Sequence, residues 1–235
     1  MQPMIIIENK YPLPEEIRSW AALHSVPVCD GQKDSSSYSY KYVFEYSDEI
    51  TLEALEIAYC HAVDKPAVIG MTERLIIREI STDDLDDYSR IVKLYPNVLI
   101  DRTLSELSPE EFKQRQEAYI KYSYHFLGYG IYGIFPRDTE LKPVSDCSKV
   151  SKMIGIAGID GTVTPQLSYA LLPEYRGMGI AFEACDRILE YAESSLELKN
   201  INLFIHEENT SSIRLAEKLK KKHSIIIHHL QRKSY

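Results

Sequence analysis

The chain has 235 residues, of which 44% are hydrophobic and 26% charged, and its formal net charge is −8 at pH 7. This composition is typical of a globular protein with one large domain, or one domain and a small companion, and the acidic balance argues against nucleic acid as a partner. No apolar run approaches membrane-spanning length and no signal-peptide pattern is present, so we expect a cytoplasmic protein without a membrane partner.

The cysteines and histidines do not form a metal-binding pattern. Neither a CxxC pair nor a Cys/His pair at zinc spacing occurs, and the neighbours His228 and His229 are too isolated to be ligands. The four cysteines stand 31, 87 and 38 positions apart, at Cys29, Cys60, Cys147 and Cys185. We therefore expect reduced thiols and no bound metal.

Residues 1–70 are predicted to form an N-terminal extension or a small α/β subdomain. The pair Lys65–Pro66 marks its end, because the residue before a proline avoids helical conformation. No catalytic motif occurs in it, and one interpretation is that it mediates formation of a homodimer. The predicted order is strand 4–7, a helix from Pro14, polar loop 29–39, strand 40–46 and helix 51–63.

Residues 71–235 are predicted to form a second domain around one mixed sheet. A helix lies between strands 166–172 and 200–206, so these two strands are expected to run parallel. The spacing of strands 128–135 and 152–159 predicts a long hairpin. The predicted order is strand 72–80, helices 81–93 and 108–124, strands 128–135, 152–159 and 166–172, helix 180–195, strand 200–206, a helix from Asn209 and strand 224–229.

The most informative stretch is the turn between strand 166–172 and the helix that begins at Ile180. A strand, a glycine-containing turn and a helix start bring several backbone N–H groups around one spot, with the positive end of the helix dipole behind them. Gly177 and Gly179 let an anion approach the backbone and tolerate positive φ. The pattern predicts a phosphate or pyrophosphate site.

Two well-known phosphate-binding motifs do not fit this turn. A P-loop requires Gly-Lys followed by Ser or Thr, which is absent. A dinucleotide-binding fingerprint requires a glycine where Phe182 stands. An ordinary strand–helix turn, in which the glycines only reverse the chain, stays open on these residues alone.

Three stretches carry a family resemblance. The segment R-G-M-G-I-A at 176–181 resembles the Q/R-x-x-G-x-G/A signature of the GNAT family, the Gcn5-related N-acetyltransferases. The string TERLIIREISTDDLDDY from Thr72 is similar to the opening of the branch that includes the ribosomal-protein N-acetyltransferases. Asn209 and Ser212, followed by Glu217-Lys-Leu, resemble the family's N-x-x-S segment. The resemblance covers residues 72–235, about seventy per cent of the chain.

The resemblance implies a fold and a co-substrate. The implied fold is the GNAT fold, an α/β (α+β) architecture whose mixed sheet has an antiparallel first half and a splayed parallel strand pair. The implied co-substrate is acetyl-CoA, with its pyrophosphate on the glycine turn and its pantetheine on the first strand of that pair. The implied cofactor-binding residues are Leu171, Leu172, Arg176, Gly177, Met178, Gly179, Ile180, Ala181, Asn209 and Ser212.

The last part of the chain departs from the family pattern. Asn209 also fits a plain helix N-cap, which physical chemistry alone predicts. The Gly-Phe that the pattern places after this helix is replaced by Lys-Lys-Lys-His-Ser, which leaves the geometry of the final strands open.

Acetyl transfer needs few protein groups. The protein must hold a thioester beside an amine, accept a proton and stabilise the oxyanion, and proximity alone supplies roughly 7–11 kcal/mol in favourable cases. A backbone N–H around Leu171 is the implied oxyanion donor. Glu207 is the candidate general base, with His206 and Glu208 as local alternatives. Tyr169, or water, is the candidate general acid, because the family's usual tyrosine position holds Ala216.

These observations predict an N-acetyltransferase that moves an acetyl group from acetyl-CoA to a primary amine by direct attack in a ternary complex. The alternative is a non-catalytic acyl-CoA-binding or regulatory module that keeps the pocket and has lost the base. The acceptor is expected to be a small-molecule or peptide amine, selected by the helices within residues 83–125.

Overall fold

The computed structural model describes residues 2–8, 11–30, 40–47, 49–137 and 152–231. The chain divides into two compact units, Met1–Ala67 and Val68–Tyr235. This boundary lies three residues before the expected one, because Val68–Met71 already forms a strand of the second unit's sheet.

The first unit is a small parallel α/β layer. Its strands β1 (Gln2–Glu8), β2 (Val28–Asp30) and β3 (Tyr40–Glu45) lie in the order β2-β1-β3. Helix α1 (Glu15–Leu23) joins β1 to β2, and helix α2 (Leu52–Ala62) follows β3. The stretch predicted as loop 29–39 therefore begins in a strand, because pairing with β1 satisfies the backbone of β2. The rest of that stretch lies outside the described residues.

The first unit has its own core. Thr51 caps α2 by accepting a hydrogen bond from the N–H of Ala54 at 3.2 Å, as its sequence position predicts. Apolar side chains of β1, α1 and α2 meet on one face of the sheet. The buried members are Met4, Ile6, Leu13, Ile17, Ala21, Val26, Tyr46, Leu55 and Ala62.

The second unit is built on a seven-stranded mixed sheet of order β10-β9-β8-β7-β6-β5-β4. Strands β4 to β8 pair antiparallel, and β8, β9 and β10 run parallel. The strands are β4 (Val68–Met71), β5 (Leu75–Glu79), β6 (Ile131–Pro136), β7 (Gly155–Asp160), β8 (Gln166–Leu171), β9 (Ile201–His206) and β10 (Ile225–Leu230).

Strand β4 was missed from the sequence, and β5 begins later than predicted. The two strands form a hairpin whose turn includes Thr72: its N–H donates to the Leu75 carbonyl at 2.9 Å, and its hydroxyl accepts from the Leu75 N–H at 2.9 Å. Residues 72–74 therefore turn the chain instead of extending β5. Four residues are too few for a period-2 pattern to identify β4.

Four helices connect these strands: α3 (Leu85–Leu94), α4 (Pro109–Tyr122), α5 (Ile180–Ser194) and α6 (Thr210–Lys220). Ser108 and Glu111 close a capping box at the start of α4, with Pro109 at its first position. The predicted helix 108–124 ends at Tyr122 as an α-helix and continues as a π-turn over Ser123–Leu127.

The helices cover both faces of the sheet. Ala170 packs into a cluster with residues of α3 and α4, whereas its neighbour Tyr169 faces Cys185 on α5. Adjacent residues of a strand point to opposite faces, so α3 and α4 lie on one face and α5 on the other. Helix α6 packs against β9 and β10.

Strands β8 and β9 pair at one position only, Gln166 with Asn202. In the same sheet β9 and β10 pair over six positions. Beyond Asn202 the two strands therefore part, and a gap opens toward the carboxyl ends of β8 and β9. This is the splayed parallel pair that the resemblance implies, and the implied α/β fold with its mixed sheet is confirmed.

Candidate functional site

The glycine turn lies at the wide end of the gap between β8 and β9. Gly177 and Gly179 have φ of +76° and +79°, the left-handed region that glycine adopts without strain. In the described part of the chain, no atom lies within 4 Å of where a Cβ on Gly177 would stand, and the nearest atom to one on Gly179 is the Arg74 Nη2 at 3.6 Å. The turn is therefore open to solvent and to a ligand.

The backbone N–H groups of this turn are unused. Within the described residues, none of the N–H groups from Gly177 to Phe182 donates a hydrogen bond, while the Glu183 N–H donates to the Gly179 carbonyl at 3.1 Å. Six consecutive N–H groups, four of them the orphan donors of a helix start, are thus free along this exposed turn. Free donors and the positive end of the α5 dipole favour an anion here.

A polar brace holds the turn in place. Arg74 donates from its Nη1 to the carbonyl of Met178 at 2.9 Å and from its Nε to the carboxylate of Glu183 at 2.8 Å. The Thr72 hydroxyl donates to the other oxygen of that carboxylate. Burial raises the pKa of Glu183, but the hydrogen bonds from Thr72 and Arg74 outweigh it and hold the pKa below its usual value.

Arg176 turns its side chain away from the open side of the turn. Its Nε donates to the carbonyl of Leu171 at 3.3 Å, its Nη2 donates to the Tyr95 hydroxyl, and its guanidinium lies 4.9 Å from the centroid of the Tyr95 ring. The side chain of Ile180 is buried, whereas Met178 is 56% exposed. The anion site therefore consists of backbone groups.

The edge of β8 that faces the gap offers further backbone groups. The Pro165 carbonyl accepts from the Asn202 N–H across the gap's closed end, and the Leu172 N–H donates to Ile154 on the β7 side. Backbone groups alternate along a strand, so the N–H groups of Tyr169 and Leu171 point toward β9. Leu171 is thus oriented as its predicted role requires, whereas the N–H of Leu172 is occupied within the sheet.

The Tyr169 hydroxyl is buried and has no hydrogen-bond partner in the described part of the chain. Burial raises the pKa of this phenol and the neighbouring Cys185 raises it further, whereas the nearby Ser212 side chain, although outside hydrogen-bonding geometry, lowers it. The structure therefore brings Tyr169 and Ser212, two predicted site residues, next to each other between α5 and α6. A buried hydroxyl without a partner costs free energy that a bound ligand can recover.

Asn209 is the N-cap of α6. Its Oδ1 accepts from the Ser212 N–H at 3.1 Å and from the Ser211 hydroxyl at 2.9 Å. Asn209 also borders a cleft of about 770 Å³ at the carboxyl ends of β9 and β10, which Glu207 shares. Glu207 is exposed there, immediately beyond β9, and lies at the wide end of the gap.

Sequence reasoning missed the brace of Thr72, Arg74 and Glu183. The first two belong to the TERL string that carries the resemblance, which was the one available signal. Arg74 and Glu183 are 109 positions apart in the sequence, so no local pattern reveals that they are in contact.

The described residues contain no cluster of three or more His, Cys, Asp or Glu side chains that could hold a metal ion. Within the same ranges, no helix combines the length and apolar character that crossing a bilayer requires.

Comparison with known proteins identifies the family of the second unit. The family model described as acetyltransferase (GNAT) domain matches residues 74–221. No curated protein matches the chain. The ribosomal alpha-N-protein acetyltransferase RimL, solved with coenzyme A, is 15% identical, with a TM-score of 0.51 over 65% of this chain and 82% of RimL.

Two further solved structures are similar at lower scores. An acetyltransferase from Agrobacterium tumefaciens is 21% identical over 64% of this chain and 81% of its own, with a TM-score of 0.45. Spermidine N-acetyltransferase from Vibrio cholerae is 19% identical over 63% of this chain and 80% of its own, also with a TM-score of 0.45.

The fold and the family match together define an acyltransferase. More narrowly, the chain belongs to the GNAT acetyltransferase domain family.

Proposed function

We propose that the protein is an N-acetyltransferase that transfers the acetyl group of acetyl-CoA to a primary amine by direct attack in a ternary complex. The observation that carries this proposal is the row of free N–H groups from Gly177 to Phe182, next to the unpaired edge of β8. The turn suits the pyrophosphate and the strand edge suits the amides of the pantetheine arm.

The proposed path of the cofactor follows from these two features. With the pyrophosphate on the turn, the arm enters the gap at its wide end and lies along β8 toward Gln166. The N–H groups of Leu171 and Tyr169 then face the thioester carbonyl and stabilise the oxyanion. Asn209 and Ser212 border the α6 side of this path.

Two predicted residues are proposed to move protons. Glu207 is exposed at the wide end of the gap, where its carboxylate attracts a cationic amine and can accept its proton. The Tyr169 hydroxyl is buried without a hydrogen-bond partner among the described residues, and we propose that it hydrogen-bonds to the leaving thiolate. RimL, which shares the fold, is an acetyltransferase of alpha-amino groups, so an amine acceptor is the first choice to test.

The test is release of coenzyme A from acetyl-CoA in the presence of a panel of primary amines: a peptide with a free N-terminus, a lysine ester and a polyamine. Binding of acetyl-CoA is measured separately by calorimetry. Amine-dependent release is expected. Tight binding without release in any reaction would favour the alternative, a non-catalytic acyl-CoA-binding module, and absence of binding would contradict both.

A further inference from the structure

The face of β9 and β10 opposite α6 carries a polar pair at the closed end of the gap. His228 Nε2 lies 2.8 Å from Asn202 Oδ1. The imidazole also stacks on Phe204, with ring centroids 4.5 Å apart and planes 13° apart. His228 is opposite Phe204 in the register, and Asn202 is opposite Gln166, the one residue of β8 that pairs with β9.

The contacts of Asn202 determine which nitrogen of His228 carries the proton. Asn202 Nδ2 donates to the carbonyls of Pro165 at 3.1 Å and Asn200 at 3.3 Å, so its Oδ1 is the atom that faces His228. An amide oxygen only accepts, and Nε2 must therefore donate. In the neutral ring the lone pair is then on Nδ1, which has no partner among the described residues.

This pair lies where the proposed cofactor path ends. An arm anchored at the glycine turn runs along β8 toward Gln166, and Asn202 is paired with that residue. This face is the one that Ala170 shares. Among the described residues, Phe204 and Ile226 on it are 43% and 41% exposed, so an amine can reach it from solvent. Tyr169 is on the opposite face, next to α5. Glu207 stands five residues beyond Asn202, about 16 Å along an extended strand.

Resting on the proposed function, we propose that His228 Nδ1, in place of Glu207, is the proton acceptor for the attacking amine, with Asn202 as its positioning residue. Glu207 then keeps only the attraction of the cationic amine. The ammonium group gives one proton to Nδ1, directly or through one water, and leaves an imidazolium. The amine lone pair forms the C–N bond, and the C–S bond breaks with its electron pair on sulfur. The second nitrogen proton ends on the thiolate, with the Tyr169 hydroxyl as relay, and the imidazolium releases its proton to solvent.

Few other titratable groups share this face of the sheet. His206 on β9 is opposite Leu230, and Asp160 on β7 is opposite Gln166. Burial raises the pKa of Asp160, and its carboxylate accepts from the Ile100 N–H at 2.7 Å. The neighbouring side chains of Gln166 and Ser168 are neutral. His228 is thus the oriented proton acceptor of this surface.

The experiment compares four full-length proteins: wild type, H228Q, E207Q and H229Q. Glutamine keeps a donor near the Nε2 position of His228 and lacks the Nδ1 acceptor. His229 is next to His228 on the same strand but points to the other face, which makes H229Q the matched control. Acetyl-CoA affinity is measured by calorimetry, and kcat/KM against pH is measured with the best amine of the panel. The ¹⁵N spectrum of the wild-type histidines reports the tautomer of His228.

H228Q is expected to bind acetyl-CoA within about threefold of wild type and to lose about 100-fold or more in kcat/KM, together with the acidic limb of the pH profile. H229Q is expected to keep both, and the spectrum to show Nε2–H for neutral His228. An Nδ1–H tautomer, an H228Q profile like that of wild type, or loss of the acidic limb in E207Q alone would overturn the role of His228 while the transferase stands. Absence of transfer by wild type to every amine would overturn the proposed function and this role together.

Discussion

At Gly179 one backbone angle connects sequence to function. Gly179 has φ of +79° at the N-cap of α5. Because it has no side chain, the first N–H groups of α5 stay exposed. A side chain here strains the backbone by roughly 1–2 kcal/mol, whatever its chemistry. Its effect on an anion, by contrast, depends on charge and size. The sequence identified this position because only its glycines and their spacing were needed.

G179D is expected to abolish binding of acetyl-CoA, because a carboxylate then stands among the donors that hold the pyrophosphate. G179A carries the same backbone strain without the charge, and its Cβ meets only ordinary contacts. Both variants should lose a few degrees of melting temperature, whereas only G179D should show no calorimetric heat with acetyl-CoA. Wild-type affinity in G179D would contradict the pyrophosphate assignment.

Tyr169 and Tyr132 give a second, matched comparison, since both hydroxyls are buried without a partner in the described residues. Removing an unpaired buried hydroxyl is neutral or stabilising, so Y169F and Y132F should both keep or raise the melting temperature. Only Y169F should lower kcat, by about 10- to 100-fold, because only Tyr169 lies on β8 beside the gap. An equal effect of the two variants on kcat would remove Tyr169 from the mechanism.

Among the elements, α5 is fixed at both ends by side chains. Glu183 in its first turn belongs to the brace of the glycine turn. Near its other end, the buried His223 places Nδ1 2.9 Å from a Glu193 oxygen and Nε2 2.9 Å from an Asp186 oxygen. The ring therefore bridges two carboxylates that both belong to α5. This clamp ties α5 to the residues between α6 and β10.

His223→Ala is expected to destabilise the second unit by about 2–4 kcal/mol, because it leaves two partly buried carboxylates without their shared partner. Urea unfolding followed by circular dichroism measures the loss. The matched control, His229→Ala, removes an exposed ring on β10 and should cost under about 0.5 kcal/mol. Equal midpoints for the two variants would show that the clamp contributes nothing.

Ser108 gives a smaller prediction at the start of α4. Its hydroxyl caps the helix and interacts with Glu111 in the capping box. Ser108→Ala should cost about 1 kcal/mol, whereas Ser108→Thr, which keeps the hydroxyl, should cost little. Thermal unfolding of both variants checks the difference, and a larger loss for the threonine variant would contradict it.

For the whole molecule, the carboxylates that hold elements together predict the response to acid. Burial raises the pKa of Asp84, but hydrogen bonds from Arg78 and Ser81 bring this pKa below its usual value. Burial likewise raises the pKa of Asp186, and hydrogen bonds from Lys222 and His223 bring it below its usual value. The pKa of Glu183 is lowered in the same way. These groups bind protons more weakly when folded, so folding favours the ionised forms.

The free energy of unfolding is therefore expected to fall as pH decreases below the ordinary pKa values of 4.5 for Glu183 and 3.8 for Asp84. Their contribution is complete above those values and is lost as pH passes down through the lowered pKa of the folded state. The raised pKa of Asp160 acts in the opposite direction. Urea midpoints between about pH 7 and pH 3 test the sum, and constant midpoints would contradict it.

The sequence by itself determined the element order of the second unit from β5 onward, the glycine turn and the parallel direction of β8 and β9. These features follow from local periodicity, capping residues and the right-handed crossover, each readable within a few tens of residues. The sequence also supplied the family, because short motifs are local as well.

Only the tertiary structure decided which side chains meet. Arg74 reaches Glu183, Tyr169 lies beside Ser212, and His228 donates to Asn202 because the sheet brings together strands that are far apart in sequence. The isolated appearance of His228 in the sequence shows the limit: its partner is on the neighbouring parallel strand, 26 positions away. The register of the strands and the separation of β8 from β9 decide which side chains meet. Both depend on how the whole sheet packs, so no local sequence pattern encodes these contacts.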